Sequence, residues 1–229
     1  MADLVLPAPT PSLLPVAGSD ALFPVRRIFC VGRNYAEHAR EMGNDPDRDP
    51  PFFFTKPADA AVPSGVTLPF PKATENLHHE AELVVAIGTG GAEIAAADAA
   101  RHIWGYGAGN DLTRRDLQAE AKEMRRPWDM AKGFDASAVI GALHAAPETG
   151  PMTSGRITCS VEGELRQDGD LSEMIWPTDQ IIAFLSRLVT LAPGDLIMTG
   201  TPAGVGAIAP GQTCTVEIAG LSPATVTFS

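Results

Sequence analysis

The run AELVVAIG at 81–88, entered through His78, His79 and Glu80, is the stretch that most limits what this chain can become. It reads as a strand in apolar surroundings. Glu80 and Glu82 lie two apart, so on a strand both carboxylates leave from one face, roughly 7 Å apart along the backbone. Like charges held close in a poorly solvated place raise each other's pKa unless a cation compensates them, and a metal is the simplest compensator. Asp111 ends the next expected strand, the glycine-rich WGYGAGND, and could supply a third oxygen. An all-carboxylate set with room for water suits Mg2+, or Mn2+, better than zinc. Spacing alone is met more often by an exposed strand face with two glutamates and a turn aspartate. His78 and His79 beside the strand fit hydrogen bonding better than ligation.

The rest of the chain is punctuated by proline and glycine. Residues 1–25 carry Pro7, Pro9, Pro11, Pro15 and Pro24 and read as an extended arm, leaving 26–229 as one catalytic domain. RIFCV reads as a buried strand. Asn34, with Glu37 three residues on, has the form of a capping box for a short helix to Met42, and GNDPDRDPP behind it is a loop. EIAAADAARHI reads as a helix, TRRDLQAEAKEM as a helix capped by Thr113 and stopped by Pro127, ITCSVEGELRQDG as a hairpin turning near Glu162 and Gly163, and PTDQIIAFLSRLVTL as a helix with one apolar stripe. Many short strands with few helices predict an α+β, β-dominated mixed fold rather than a doubly wound one.

Two further groupings carry chemistry. His38 and Glu41 are three apart on the short helix, within reach of one another; a carboxylate that fixes the imidazole tautomer makes it a better base toward water. A surface ion pair has the same spacing. Arg114, Arg115, Lys122, Arg125, Arg126 and Lys132 follow Asp111 closely. For Arg114, Lys122 and Arg125 a solvated helix face explains the charge. Lys132 instead lies in WDMAKGFDASAV, where a lysine needs a partner or a task.

The bulk numbers exclude more than they assign. A formal charge of -11 argues against a nucleic-acid partner, so an anionic ligand must find a local positive site. Cys30, Cys159 and Cys214 are odd in number and far apart, which fits a reducing cytoplasm. The N-terminal residues lack the pattern of a signal peptide and no run is long enough for a membrane span, so neither export nor a membrane partner is expected.

Taken in order, GRNYAEHAREMG, FFFTKP, NLHHEAELVVAIG, GYGAGNDLTRRDLQ, PWDMAKGFD, GELRQDG and GDLIMTGTPAGVG resemble the fumarylacetoacetate hydrolase family over residues 27 to 206. The likeness is to its short, single-domain members, the acylpyruvases and fumarylpyruvate hydrolases, and GNDPDRDPPFFFTKPADA looks most like the fumarylpyruvate hydrolases of gentisate breakdown. It implies a mixed β-sandwich roll, a homodimer, and a divalent metal on Glu80, Glu82 and Asp111. It also implies a lid dyad at His38 and Glu41, Lys132 beside the reacting carbonyl, and substrate contacts from Arg115, Gln118, Thr201 and Lys56. Arg33, Arg48 and Arg115 are candidates for a second carboxylate. The implied substrate is a small 2,4-dioxo acid cut at a carbon-carbon bond, with oxaloacetate decarboxylation and an idle metal-stabilised binding protein as rivals.

Overall fold

A computed structural model of the chain describes residues 4–37 and 50–229. His38, Glu41 and Arg48 lie outside the described residues. The architecture is β-dominated, as expected, and is built on one long mixed sheet packed against a five-stranded antiparallel-rich sheet. The long sheet runs Phe52–Lys56, Arg27–Gly32, Asp195–Met198, Ala81–Ile87, Ile103–Asp111, Ala138–Ile140, Ala61–Pro63, with His144–Ala145 pairing to Ile103–Asp111. The second sheet orders Glu164–Asp170, Arg156–Val161, Thr213–Ile218, Ala224–Phe228 and Val66–Leu68.

The central strand Ala81–Ile87 is buried at every position because both of its faces have something to cover them. Leu83, Val85 and Ile87 enter a large core with Ile157, Val216 and Val226 of the second sheet and Ile181 and Leu185 of the helix Thr178–Leu188. Val84 and Ala86 point the other way, into a smaller core with Ile28, Leu196, Leu14 and Phe23. A strand buried on two sides has no polar alternation to display, which is why its sequence reads as a continuous apolar run. Leu14 and Phe23 come from residues 1–25, where Leu13–Pro15 and Leu22–Pro24 pair as a small hairpin.

Strand parity then fixes where the acidic residues go. Glu80 and Glu82 share the face of Val84 and Ala86, at the strand's open end. In the neighbouring antiparallel strand Glu82 stands opposite Gly109 and Ala81 opposite Asn110. Tyr106 and Ala108 enter the large core, so Gly105, Gly107, Gly109 and Asp111 take the opposite face, the one carrying Glu82. The glycines are there for room: a Cβ on Gly109 would lie 2.5 Å from the Val84 side chain, and one on Gly105 would lie 2.1 Å from the His144 carbonyl oxygen.

Several local expectations need correction. Asn34 does not serve as a helix cap; its amide donates to the carbonyls of Trp176 and Thr199 and accepts the Trp176 N–H. Tertiary partners of good geometry have taken the side chain from a local role. Thr113 pairs with His78 in a two-residue strand, so the helix Arg115–Glu123 begins after Arg114 instead. Residues Ala96–His102 form a 3-10 helix rather than an α-helix. The hairpin turning at Glu162 and Gly163, both with positive φ, and the helix Thr178–Leu188 are as expected.

Candidate active site

Glu80, Glu82 and Asp111 converge. Each offers one carboxylate oxygen, and the three oxygens lie within 4.8 Å of one another with all three residues buried. Two oxygens on an octahedral ion with bonds of about 2.1 Å stand about 3 Å apart when adjacent and about 4.2 Å when opposite. Small rotamer changes would therefore let the three hold one hard divalent cation, and the all-oxygen donor set suits one.

Cations already crowd the cluster. Lys132, at the end of the short helix Asp129–Lys132, places Nζ 2.6 Å from Glu80 Oε2 and 2.8 Å from Asp111 Oδ2. Lys56 Nζ lies 2.8 Å from Asp111 Oδ1, and Arg115 donates to Glu80 Oε1. Glu82 accepts the Gly200 N–H at 2.8 Å. Burial, with Asp111 and Glu80 alongside, still pushes the Glu82 carboxyl well above the usual carboxylate range, against the opposing pull of Lys132 and the Gly200 N–H. Burial would draw the Lys132 ammonium down, but Asp111 and Glu80 outweigh it and hold the group above the ordinary lysine value. Lys132 is therefore a fixed positive charge at this site, suited to an oxyanion and unsuited to acting as a base.

A cavity of about 260 Å³ opens over Glu80 and Glu82, and Arg33, Arg115, Gln118, Lys132 and Thr201 line it. Arg115 and Gln118 stand three apart on one helix face, and Arg115 donates to Gln118 Oε1 at 2.7 Å. What Gln118 can offer a ligand is thus its N–H donors. Lys56 is different: it does not line the cavity, but sits behind Asp111 and donates to the backbone carbonyls of Leu112, at 3.1 Å, and Lys132. Its position fits a strut under Asp111 better than the substrate contact expected of it.

His78 and His79 stand outside the acidic triad. His78 bonds to Asn76 and accepts from Arg115 Nε, and burial together with the Arg115 charge lowers its pKa to about 4. His79 is fully buried on Gln167 and is likewise held below the usual histidine range by burial. Both are neutral supports for the strand that carries Glu80.

Two residues were missed by sequence reasoning. Gln167 joins His79, the Ala81 N–H, the Thr201 hydroxyl and the Pro202 carbonyl. Its signal in the sequence was a glutamine in an expected hairpin strand, which is too common to notice. Lys122, read as part of a solvated face, is exposed as expected but also lines the cavity, over Trp128. Its signal was available, because Arg115, Gln118 and Lys122 follow the i, i+3, i+7 spacing of one helix face. Arg114 is partly buried, stacked 4.4 Å from the Phe134 ring centroid, rather than solvated.

Known proteins resemble this chain over most of its length. The model of the fumarylacetoacetate (FAA) hydrolase C-terminal family matches residues 27–229. A crystal structure of fumarylpyruvate hydrolase from Pseudomonas aeruginosa, in complex with Mn2+ and pyruvate, superimposes with a TM-score of 0.96 at 49% identity over 99% of each chain. Mitochondrial oxaloacetate decarboxylase of Dictyostelium discoideum is 38% identical over 86% of this chain and 90% of its own length. Mitochondrial oxaloacetate tautomerase of Arabidopsis thaliana is 39% identical over 86% and 87%. No helix among the described residues is long and apolar enough to cross a membrane. With a family model covering nearly the whole chain and a buried carboxylate triad at the floor of its cavity, the chain belongs to the fumarylacetoacetate hydrolase family.

Proposed function

We propose that this protein is a divalent-metal-dependent hydrolase that cuts a carbon-carbon bond in 2,4-dioxo acids, converting fumarylpyruvate to fumarate and pyruvate in a gentisate-type route of aromatic breakdown. The observation that carries the reading is the convergence of Glu80, Glu82 and Asp111 beneath a cavity edged by Lys132, Arg115 and Gln118. The likeness to a fumarylpyruvate hydrolase holding Mn2+ and pyruvate supports it. Mg2+ is the proposed ion in the cell, with Mn2+ as a substitute, and the working unit is a homodimer of catalytic domains spanning 26–229 in the cytoplasm.

A divalent ion bound by the three carboxylates would neutralise the negative charge that a departing pyruvate unit acquires. The protein's own groups do the rest. Thr201 and Arg115 orient the carboxylate end of the substrate in the cavity. His38, held in one tautomer by Glu41, takes a proton from water as the water oxygen bonds to the distal ketone carbon. Lys132, with the Gln118 N–H donors, holds the oxyanion that forms there. The carbon-carbon bond then breaks with its electron pair passing to the pyruvate side, the acyl carbon keeps the water oxygen as a carboxylic acid that gives its remaining proton to solvent, and the proton from His38 ends on the pyruvate methyl.

A second reading is favoured by the curated relatives: oxaloacetate decarboxylation or tautomerisation, which needs the same carboxylate-rich floor but no attacking water. Loss of dioxo-acid ultraviolet absorbance with fumarylpyruvate, acetylpyruvate and oxaloacetate, each with Mg2+ and with EDTA, separates the readings. Mg2+-dependent turnover fastest on fumarylpyruvate is expected. Oxaloacetate consumed well ahead of both dioxo acids would replace the hydrolase assignment with the second.

A further inference from the structure

The cavity holds more positive charge than its carboxylates need. Its charged lining is Arg33, Arg115, Lys122, Lys132, Glu80 and Glu82, four cations against two anions, in a chain whose formal charge is -11. Arg115 and Lys132 are ion-paired to Glu80. Arg33 and Lys122 have no carboxylate partner among the described residues; each lies over an aromatic ring instead. The Arg33 guanidinium is 4.9 Å from the Phe52 ring centroid and the Lys122 ammonium 5.1 Å from that of Trp128. Phe52 and Trp128 touch edge to face at 5.5 Å, so the two cations stand on one continuous aromatic wall. A cation resting on a ring keeps its capacity for a direct ion pair, because the ring meets its charge from one side only.

Position along the helix tells which part of a ligand this wall would meet. Arg115 and Lys122 share a face and are separated by about 10 Å of axial rise, two turns. Arg115 reaches Glu80 at the carboxylate floor, and Lys122 therefore marks the outer end of the same cavity. Lys122 is exposed at this end, and partial desolvation with like-charge repulsion from Arg115, Arg33 and Lys132 holds its ammonium below the ordinary lysine value despite Glu80, so an arriving anion meets net positive charge there. The backbone agrees: Arg33 adopts a φ of 61°, a left-handed conformation that a residue with a long side chain rarely takes without a positional reason.

We infer that Lys122 and Arg33, seated on Trp128 and Phe52, form a second anion subsite that receives a carboxylate at the far end of the acyl chain. The inference rests on the reaction class proposed above and assigns residues to the far end of its substrate: Lys122 and Arg33 are what selects acyl groups that themselves end in a carboxylate over neutral ones. The subsite is a specificity device, because a neutral acyl group makes no ion pair with the two cations.

The test compares selectivity in the metal-loaded enzyme. The ratio of kcat/KM for fumarylpyruvate to that for acetylpyruvate is measured in wild type, Lys122→Met and Lys122→Arg, together with calorimetric binding of fumarate and of monomethyl fumarate. Loss of a charge-assisted contact predicts that Lys122→Met lowers the selectivity ratio about 10- to 100-fold, mostly through the KM for fumarylpyruvate, and that Lys122→Arg recovers most of it. Wild type should bind fumarate at least about tenfold more tightly than its monomethyl ester, a difference Lys122→Met removes. A selectivity ratio unchanged in Lys122→Met, whether both rates fall together or neither falls, overturns the subsite. If wild type turns over neither dioxo acid, the reaction class fails, and the fumarate comparison still decides: preference for the diacid lost in Lys122→Met retains the subsite, and equal binding of fumarate and its monomethyl ester by wild type rejects it.

Discussion

Gln167 donates through Nε2 to the Thr201 hydroxyl oxygen at 2.8 Å, which decides how that hydroxyl can act toward a ligand. The glutamine has no freedom to turn: its second N–H goes to the Pro202 carbonyl at 2.8 Å, and its Oε1 accepts the Ala81 N–H at 3.0 Å and the His79 ring at 2.9 Å. A flipped amide would set two acceptors against each other at one end and donors at the other. With one lone pair engaged as an acceptor, Thr201 keeps its proton free to give to a ligand in the cavity it lines. Gln167 thereby positions the hydroxyl that is proposed to meet the substrate carboxylate.

Replacing Gln167 by Glu reverses that polarity, since a carboxylate there would accept the Thr201 proton. KM for the dioxo acid should rise about 10-fold or more, as should the Kd for pyruvate measured by calorimetry, while Mn2+ binding persists. Thr201→Val should give a rise of the same order. Unchanged pyruvate affinity in both variants would remove Thr201 from substrate recognition.

Lys132 and a divalent cation seek the same oxygens. The ammonium now bridges Glu80 and Asp111, so an arriving ion must displace it or share those carboxylates with it. Lys132→Met should consequently bind Mn2+ at least as tightly as wild type by electron paramagnetic resonance titration, yet lose turnover by about 100-fold or more because the oxyanion has lost its counter-charge. Glu82→Ala and Asp111→Ala should lose both. Weaker Mn2+ binding in Lys132→Met would mean that the lysine supports the ion rather than competing with it.

How much of this could be read from the chain depended on whether geometry was local. Strand parity put Glu80 and Glu82 on one face, and the spacing to Asp111 needed only two adjacent strands, so the acidic triad was legible apart from its burial. The groups that enclose it, Lys56, Arg115, Lys132 and the Gly200 N–H, come from segments outside the two strands, which is why an exposed acidic face looked the better reading of the spacing. Asn34 was misread for the same reason: Trp176, more than a hundred residues away, claims its side chain. Lys56 ends the edge strand Phe52–Lys56, four places along the sheet from Ile103–Asp111, so nothing in its local sequence announces its approach to Asp111. Gln167 could not be seen at all, since every one of its partners is nonlocal.

The dyad expected at His38 and Glu41 lies outside the described residues, and kinetics can reach it. Water must be deprotonated in hydrolysis but has no part in decarboxylation. His38→Ala should therefore slow fumarylpyruvate hydrolysis by about 100-fold or more and slow any oxaloacetate decarboxylation far less, with Mn2+ affinity kept. Equal losses on the two substrates, or full hydrolytic activity, would take the water-activating role from His38.

Stability and site are joined at Gly109. A Cβ there would come within 2.5 Å of Val84 Cγ2 and 3.2 Å of the Met198 methyl, in a core already closed on both sides. Overpacking of this kind costs about 1–3 kcal/mol, because the neighbours have to leave their rotamers or the two strands have to part. Gly109 stands opposite Glu82 and two residues before Asp111, so parting the strands also spreads the carboxylates. Gly109→Ala should lower the urea midpoint of the metal-free protein without changing the slope, and should weaken Mn2+ binding as well. An unchanged midpoint would show that the strand pair has slack, and a lowered midpoint with intact Mn2+ affinity would show that the triad tolerates separation of the strands that carry it.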